Sequence, residues 1–190
     1  MGREGQDHIC SDRGCTVSRL QLPANRTSIR YRKDIVHTDM DSVRGIVESS
    51  GFFSAEEVEI AVQLVQERLT KGIQSGYHFL FAERGKEVIG YTCFGRIPAT
   101  KDRYEIYWIA VQNDLRGAGI GRKLLARTEE DISTQGGRRI YIDTSSREKY
   151  EPTRSFYRRC GYREEAVLKD FYSPGDAKVI YLKEIKPIVS

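Results

Sequence analysis

Three glycines at alternate positions, Gly117, Gly119 and Gly121, lie in the stretch "NDLRGAGIGRKLL", between an apolar run and a cationic, helix-like pattern. A helix start exposes backbone N–H groups and the positive end of its dipole, so it attracts anions, phosphate above all. Glycines at such a turn remove the side chains that would hold a diphosphate away from those N–H groups, and Arg122 and Lys123 add charge. The spacing does not fit a Walker loop, because Arg122 and Lys123 stand where G-K-[ST] is required. It fits a dinucleotide loop poorly, since Arg122 occupies the third glycine position and only one strand–helix–strand unit surrounds the loop. Asp143, at the end of the next strand, could imitate the ribose-binding acid of that fold.

The elements that must position this loop are legible from periodicity. Ser28–Ile35 alternates as a first strand, and Asp39–Gly51 reads as a short helix with Asp39 or Asp41 as its cap. Ser54–Gly72 is the clearest helix: Ser54 and Glu57 form a capping box, and Val58, Ala61, Val62, Val65 and Leu69 make one apolar stripe. Tyr77–Arg84, Glu87–Ile97 and Tyr104–Val111 read as a three-stranded meander. The glycine loop then opens a helix running to about Gln135. Arg138–Ser146 follows as a strand, Glu151–Gly161 as a short helix entered at Pro152, and Tyr162–Tyr172 and Ala177–Ile185 as two strands hinged at "SPGD". The sum is an α/β (mixed α+β) chain, with a central mixed sheet of about seven strands and about four helices. Residues 1–27 lack periodicity and read as a mobile tail, which leaves 28–190 as a single domain.

Composition limits the function classes. A net charge of +4 spread along the chain does not call for nucleic acid. No apolar run approaches the roughly 18 residues of a membrane span, and "MGREGQDHIC" is too charged for a signal peptide, so a cytoplasmic location is expected. Cys10, Cys15, Cys93 and Cys160 are expected to be free thiols. Cys10 and Cys15, with His8 nearby, have the wrong spacing for zinc and lack a second pair, so no metal is expected.

"RGAGIG" (Arg116–Gly121) matches an R/Q-x-x-G-x-G/A signature, and with it the segment resembles the GNAT superfamily of acetyl-CoA-dependent N-acetyltransferases. "YWIAV" resembles that family's fourth strand and "FYRRCGY" its later helix end; the order of elements agrees from about Ser28 to Ile185. The resemblance implies acetyl-CoA as acetyl donor and an amine as acceptor, and leaves a homodimer open. Ile109, Ala110 and Val111 would offer backbone groups to the pantetheine arm in a slot between splayed strands. Arg116, Gly117, Ala118, Gly119, Ile120, Gly121 and Arg122 would form the pyrophosphate-binding loop. Tyr157 matches the family's tyrosine whose hydroxyl faces the sulfur of the cofactor, which makes it the candidate acid. Tyr150 and Thr153 depart from the family's frequent Asn and Ala, which leaves the contact made by that Asn unassigned.

Acetyl transfer to an amine needs the nitrogen deprotonated, since lysine-like amines have a pKa of about 10.4 and N-terminal amines of about 8. Glu105 interrupts a strand that is apolar on both faces, and burial would raise its pKa towards that of a base working near neutrality. It also occupies the place of the strand-four glutamate used by several family members. Asp143 is the alternative base, and "DTSS" has an equally simple reading as a loop cap; Glu105 is the stronger choice. A second class also stays open, a non-catalytic acyl-CoA sensor on the same fold, in which the loop would matter and Glu105 and Tyr157 would not. The acceptor, whether a protein amine or a small-molecule amine, is not written in these motifs.

Overall fold

The computed structural model describes residues 28–186 and 188. The expectations for the tail, with Cys10 and Cys15, therefore lie outside the described residues. Seven strands form one sheet: β1 (Ile29–Arg32), β2 (Tyr77–Arg84), β3 (Glu87–Arg96), β4 (Arg103–Val111), β5 (Arg139–Ser145), β6 (Arg163–Ser173) and β7 (Asp176–Glu184). Their order across the sheet is β1-β2-β3-β4-β5-β7-β6. All neighbours are antiparallel except β4 and β5. Among the described residues four helices accompany the sheet: α1 (Asp39–Ser49), α2 (Ala55–Lys71), α3 (Ile120–Thr134) and α4 (Glu151–Arg159).

The helices divide between the two faces. On one face α1 and α2 bury Val43, Val47, Val58 and Val65 against Phe79, Phe81 and Tyr91. On the other, α3 buries Leu125 and Ile132 against Ile106, Ile140 and Ile142, and Tyr157 of α4 joins the same cluster. Two covered faces explain why β3 is buried along almost its whole length. The capping box at the start of α2 forms as expected, with Ser54 and Glu57 each bonding the other's backbone N–H. Of the α2 stripe, Val58, Ala61, Val62 and Val65 are buried, and Leu69 is partly so.

Two local expectations are corrected. The first strand ends at Arg32 rather than Ile35. Neither Asp39 nor Asp41 caps α1: its N-cap is Thr38, without a side-chain bond. Asp39 is instead buried inside the first turn, accepting from the Val36 N–H at 2.8 Å and from both terminal nitrogens of Arg32. A strand residue thus claims the carboxylate that local sequence assigned to the helix end.

Candidate functional site

β4 and β5 are paired only at Arg103–Arg139, Tyr104–Ile140 and Glu105–Tyr141. Beyond that seam they part. β4 continues along β3 to Val111, and β5 continues along β7 to Ser145. The stretch from Ile106 to Val111 therefore presents backbone groups towards β5 with no strand to receive them. One extra residue in β4, Tyr107, bulges where the β3 register steps from Phe94–Ile106 to Cys93–Trp108, and this adds to the divergence. The gap opens into a cleft of about 970 Å³, whose lining includes Ile109, Ala110 and Val111.

The glycine loop closes one end of this cleft. Gly117 and Gly119 have φ of +81° and +78°, values that favour glycine, and a Cβ at either would meet nothing within 4 Å. Both positions, with Gly121, Ile120, Arg116 and Arg122, line the cleft; Ala118 does not. Gly119 is the N-cap of α3 and supplies no side-chain bond, and the first bond of the helix runs from the Lys123 N–H to the Gly119 carbonyl at 3.2 Å. The N–H groups of Ile120, Gly121 and Arg122 thus begin the helix without intrahelical acceptors. Arg116 stacks over the Phe52 ring at 4.8 Å, and burial lowers its pKa with no carboxylate offsetting that effect. Free donors, open space at the glycines and an uncompensated cation fit a phosphate-bearing ligand.

The proton-handling candidates meet across the seam. Glu105 is half-buried, and its pKa is raised by burial and by the adjacent Asp143 carboxylate, against a smaller opposing pull from Lys178. Asp143 lines the cleft, whereas Glu105 does not. Lys178 Nζ lies 2.6 Å from Asp143 Oδ2, and the Tyr172 hydroxyl donates to the same oxygen at 3.1 Å. The rivals of the sequence are thus neighbours within one carboxylate pair, and Asp143 sits inside β5 rather than capping a loop. Tyr157 reaches the cleft from α4, on the opposite face. Its ring packs against Tyr162 and Tyr181, and burial together with the nearby Asp143 charge raises its phenol well above the ordinary range. Thr153, Phe156 and Cys160, on the same helical face, also line the cleft; Phe156 is half-buried with its ring edge 3.7 Å from where a Gly121 Cβ would sit.

The model of the Acetyltransferase (GNAT) family matches residues 47–162, more than half of the chain. The chain belongs to the GNAT family. A putative GNAT acetyltransferase from Desulfovibrio desulfuricans is 45% identical, with a TM-score of 0.81 over 83% of this chain and 99% of that one. An uncharacterized N-acetyltransferase of Methanocaldococcus jannaschii is 32% identical over 108 residues, 56% of this chain; the match spans 65% of that relative, just under two thirds of its length. The PaiA N-acetyltransferase of Thermoplasma acidophilum, solved in complex with coenzyme A, is 19% identical and shares the fold at a TM-score of 0.64 over 83% of this chain and 99% of that one. The splayed strands and glycine-lined helix start therefore belong to a GNAT fold.

Sequence reading missed Lys178 and Tyr172. Lys178 carries the signal that drew attention to Glu105, a charge set in an apolar strand, but nothing local says that it reaches Asp143. Also missed were Phe52, Phe53 and Trp108, which line the cleft, Phe53 and Trp108 with ring centroids 4.8 Å apart. No helix among the described residues is long and apolar enough to cross a membrane.

Proposed function

We propose that this GNAT chain transfers the acetyl group of acetyl-CoA directly to a primary amine, with residues 28–190 acting as one N-acetyltransferase domain. The reading rests on one observation above all: the unpaired β4 edge from Ile106 to Val111 leads directly to an uncapped, glycine-lined helix start. An extended pantetheine arm would add to that edge like a strand, through Ile109, Ala110 and Val111. Arg116 to Arg122 would hold the pyrophosphate. Solved acetyltransferases of this fold include complexes with coenzyme A, which supports the choice of ligand.

When bound, acetyl-CoA supplies an acetyl group activated as a thioester. The chain must then move protons. The acceptor nitrogen gains one bond to carbon and loses two protons in all: Glu105, beside Asp143, takes the first, and the second leaves through water. Tyr157, kept protonated by its burial, gives its proton to the departing sulfur and is refilled from water. Glu105 and Asp143 share the sheet face that carries α1 and α2, while Tyr157 approaches from the face of α3 and α4. Proton acceptor and proton donor thus stand on opposite sides of the gap.

Calorimetry with acetyl-CoA, followed by a free-thiol assay across protein, polyamine and small-molecule amines, tests this reading. Gly119→Glu places bulk and negative charge in the open space at the helix start and is expected to abolish detectable binding. Gly119→Ala separates charge from backbone strain, which at this φ costs about 1–2 kcal/mol. Unchanged affinity in folded Gly119→Glu overturns the ligand assignment. Tight binding without turnover on any amine favours an acyl-CoA sensor instead.

A further inference from the structure

Glu105, Asp143 and Lys178 form a diagonal across three adjacent strands. Glu105 stands opposite Tyr141, and Asp143 follows two residues later on β5, so both carboxylates project from one face of the sheet. Lys178 stands opposite Ser145 on β7, on that same face, and reaches diagonally back to Asp143. Tyr172 arrives from β6, where the β6–β7 register breaks between Leu168 and Ser173. The 2.6 Å ion pair and the 3.1 Å hydrogen bond converge on a single oxygen, Oδ2, of a residue that lines the cleft.

We propose that Lys178 and Tyr172 are positioning residues that engage the Asp143 carboxylate by ion pair and hydrogen bond, and so leave Glu105 as the member of the pair that gains and loses the proton of the acceptor amine. The proposal rests on the acetyltransferase reading above. Its physical basis is that two adjacent carboxylates resist double ionisation, and a cation beside one of them decides which ionises first. The proton step is a simple exchange. One N–H bond of the entering ammonium breaks, its electron pair stays on nitrogen, and the proton passes through water to a Glu105 oxygen, since Asp143 and not Glu105 lines the cleft.

The other groups around the pair agree with this division. Tyr107 faces Glu105 from β4, and its phenol is pushed up to about 12 by burial and by the Glu105 charge. Tyr157 faces Asp143 from α4, and Asp176 and Glu57 act on Tyr172 from β7 and α2. Lys178 also lies 5.0 Å from the Phe171 ring centroid and is mostly shielded. It is the cation acting on Glu105, and its pull opposes the two effects that raise that carboxyl. A further consequence joins base to acid. A proton carried by Glu105 and shared towards Asp143 softens the negative charge that keeps the Tyr157 phenol high, so accepting the amine's proton makes Tyr157 a better donor.

The test is a carboxyl ¹³C NMR titration of the full-length protein, with the two resonances assigned through Glu105→Gln and Asp143→Asn. Lys178→Met is expected to raise the Glu105 midpoint, because the cation's pull lowers it, and Lys178→Arg is expected to restore it. Tyr172→Phe, at an exposed position, removes the hydrogen bond to Asp143, is expected to shift the Glu105 midpoint, and carries the test if Lys178→Met does not fold. With an amine from the acceptor screen, the acidic limb of kcat/KM should move up in the same order. Midpoints unmoved in the folded Lys178 and Tyr172 variants overturn the positioning role, whatever Glu105→Gln does to turnover. Moved midpoints, with Glu105→Gln keeping both turnover and its acidic limb, overturn Glu105 as proton acceptor while the acetyltransferase reading stands.

Discussion

Tyr157 combines two demands that oppose each other. A phenol held high by burial stays protonated throughout the neutral range, but it is also a reluctant acid. As a donor it would serve only because the group it would protonate, a leaving thiolate, appears transiently beside it and is strongly basic. Tyr157→Phe keeps the ring against Tyr162 and Tyr181 and removes only the hydroxyl. The expected outcome is a fall in kcat of about 10²–10⁴-fold, with acetyl-CoA affinity by calorimetry unchanged. A normal kcat, with chemistry shown to be rate-limiting, would make Tyr157 a packing residue.

At the level of elements, α2 does more than fill one face. Its N-terminal turn, with Ser54, Glu56 and Glu57, forms part of the cleft wall, so the capping box holds a boundary of the site. Ser54→Ala should cost about 1 kcal/mol and lower Tm by about 2–4 °C for a chain of this size; differential scanning calorimetry reads this directly. No change in Tm would mean that the cap is dispensable. The same box shows what sequence can reveal. Its partners are three residues apart, and the stripe behind it has a period set by the helix, so both were legible in advance. The meander, the helix after the glycines and the helix entered at Pro152 were legible for the same reason, each being written in neighbouring residues. Asp39 was misassigned because its partner, Arg32, lies across a turn on β1. Glu105 and Asp143 read as rivals because only the three-residue β4–β5 seam makes them neighbours. The Lys178–Asp143 pair spans two strands that meet through β5–β7 pairing, and no local pattern announces it.

At the level of the whole molecule, the sheet is two sheets sharing a short seam. One body is β1–β4 with α1 and α2; the other is β5, β7 and β6. Between them the amides of Ile106–Val111 that face β5 have no partner strand, although those facing β3 are paired. In free protein, amide hydrogen exchange should therefore find two populations within a single strand, fast on the open side and slow on the paired side. Acetyl-CoA at about 100 times its Kd contributes roughly 2.7 kcal/mol to the folded state and should slow the open-side amides selectively. Exchange there that stays fast with ligand bound would show that nothing docks on that edge. The wider consequence is one of cooperativity. The core that α3 packs on both β4 and β5 already joins the two bodies on one face, and a ligand in the gap would add a second bridge, tightening the unit in which the chain unfolds.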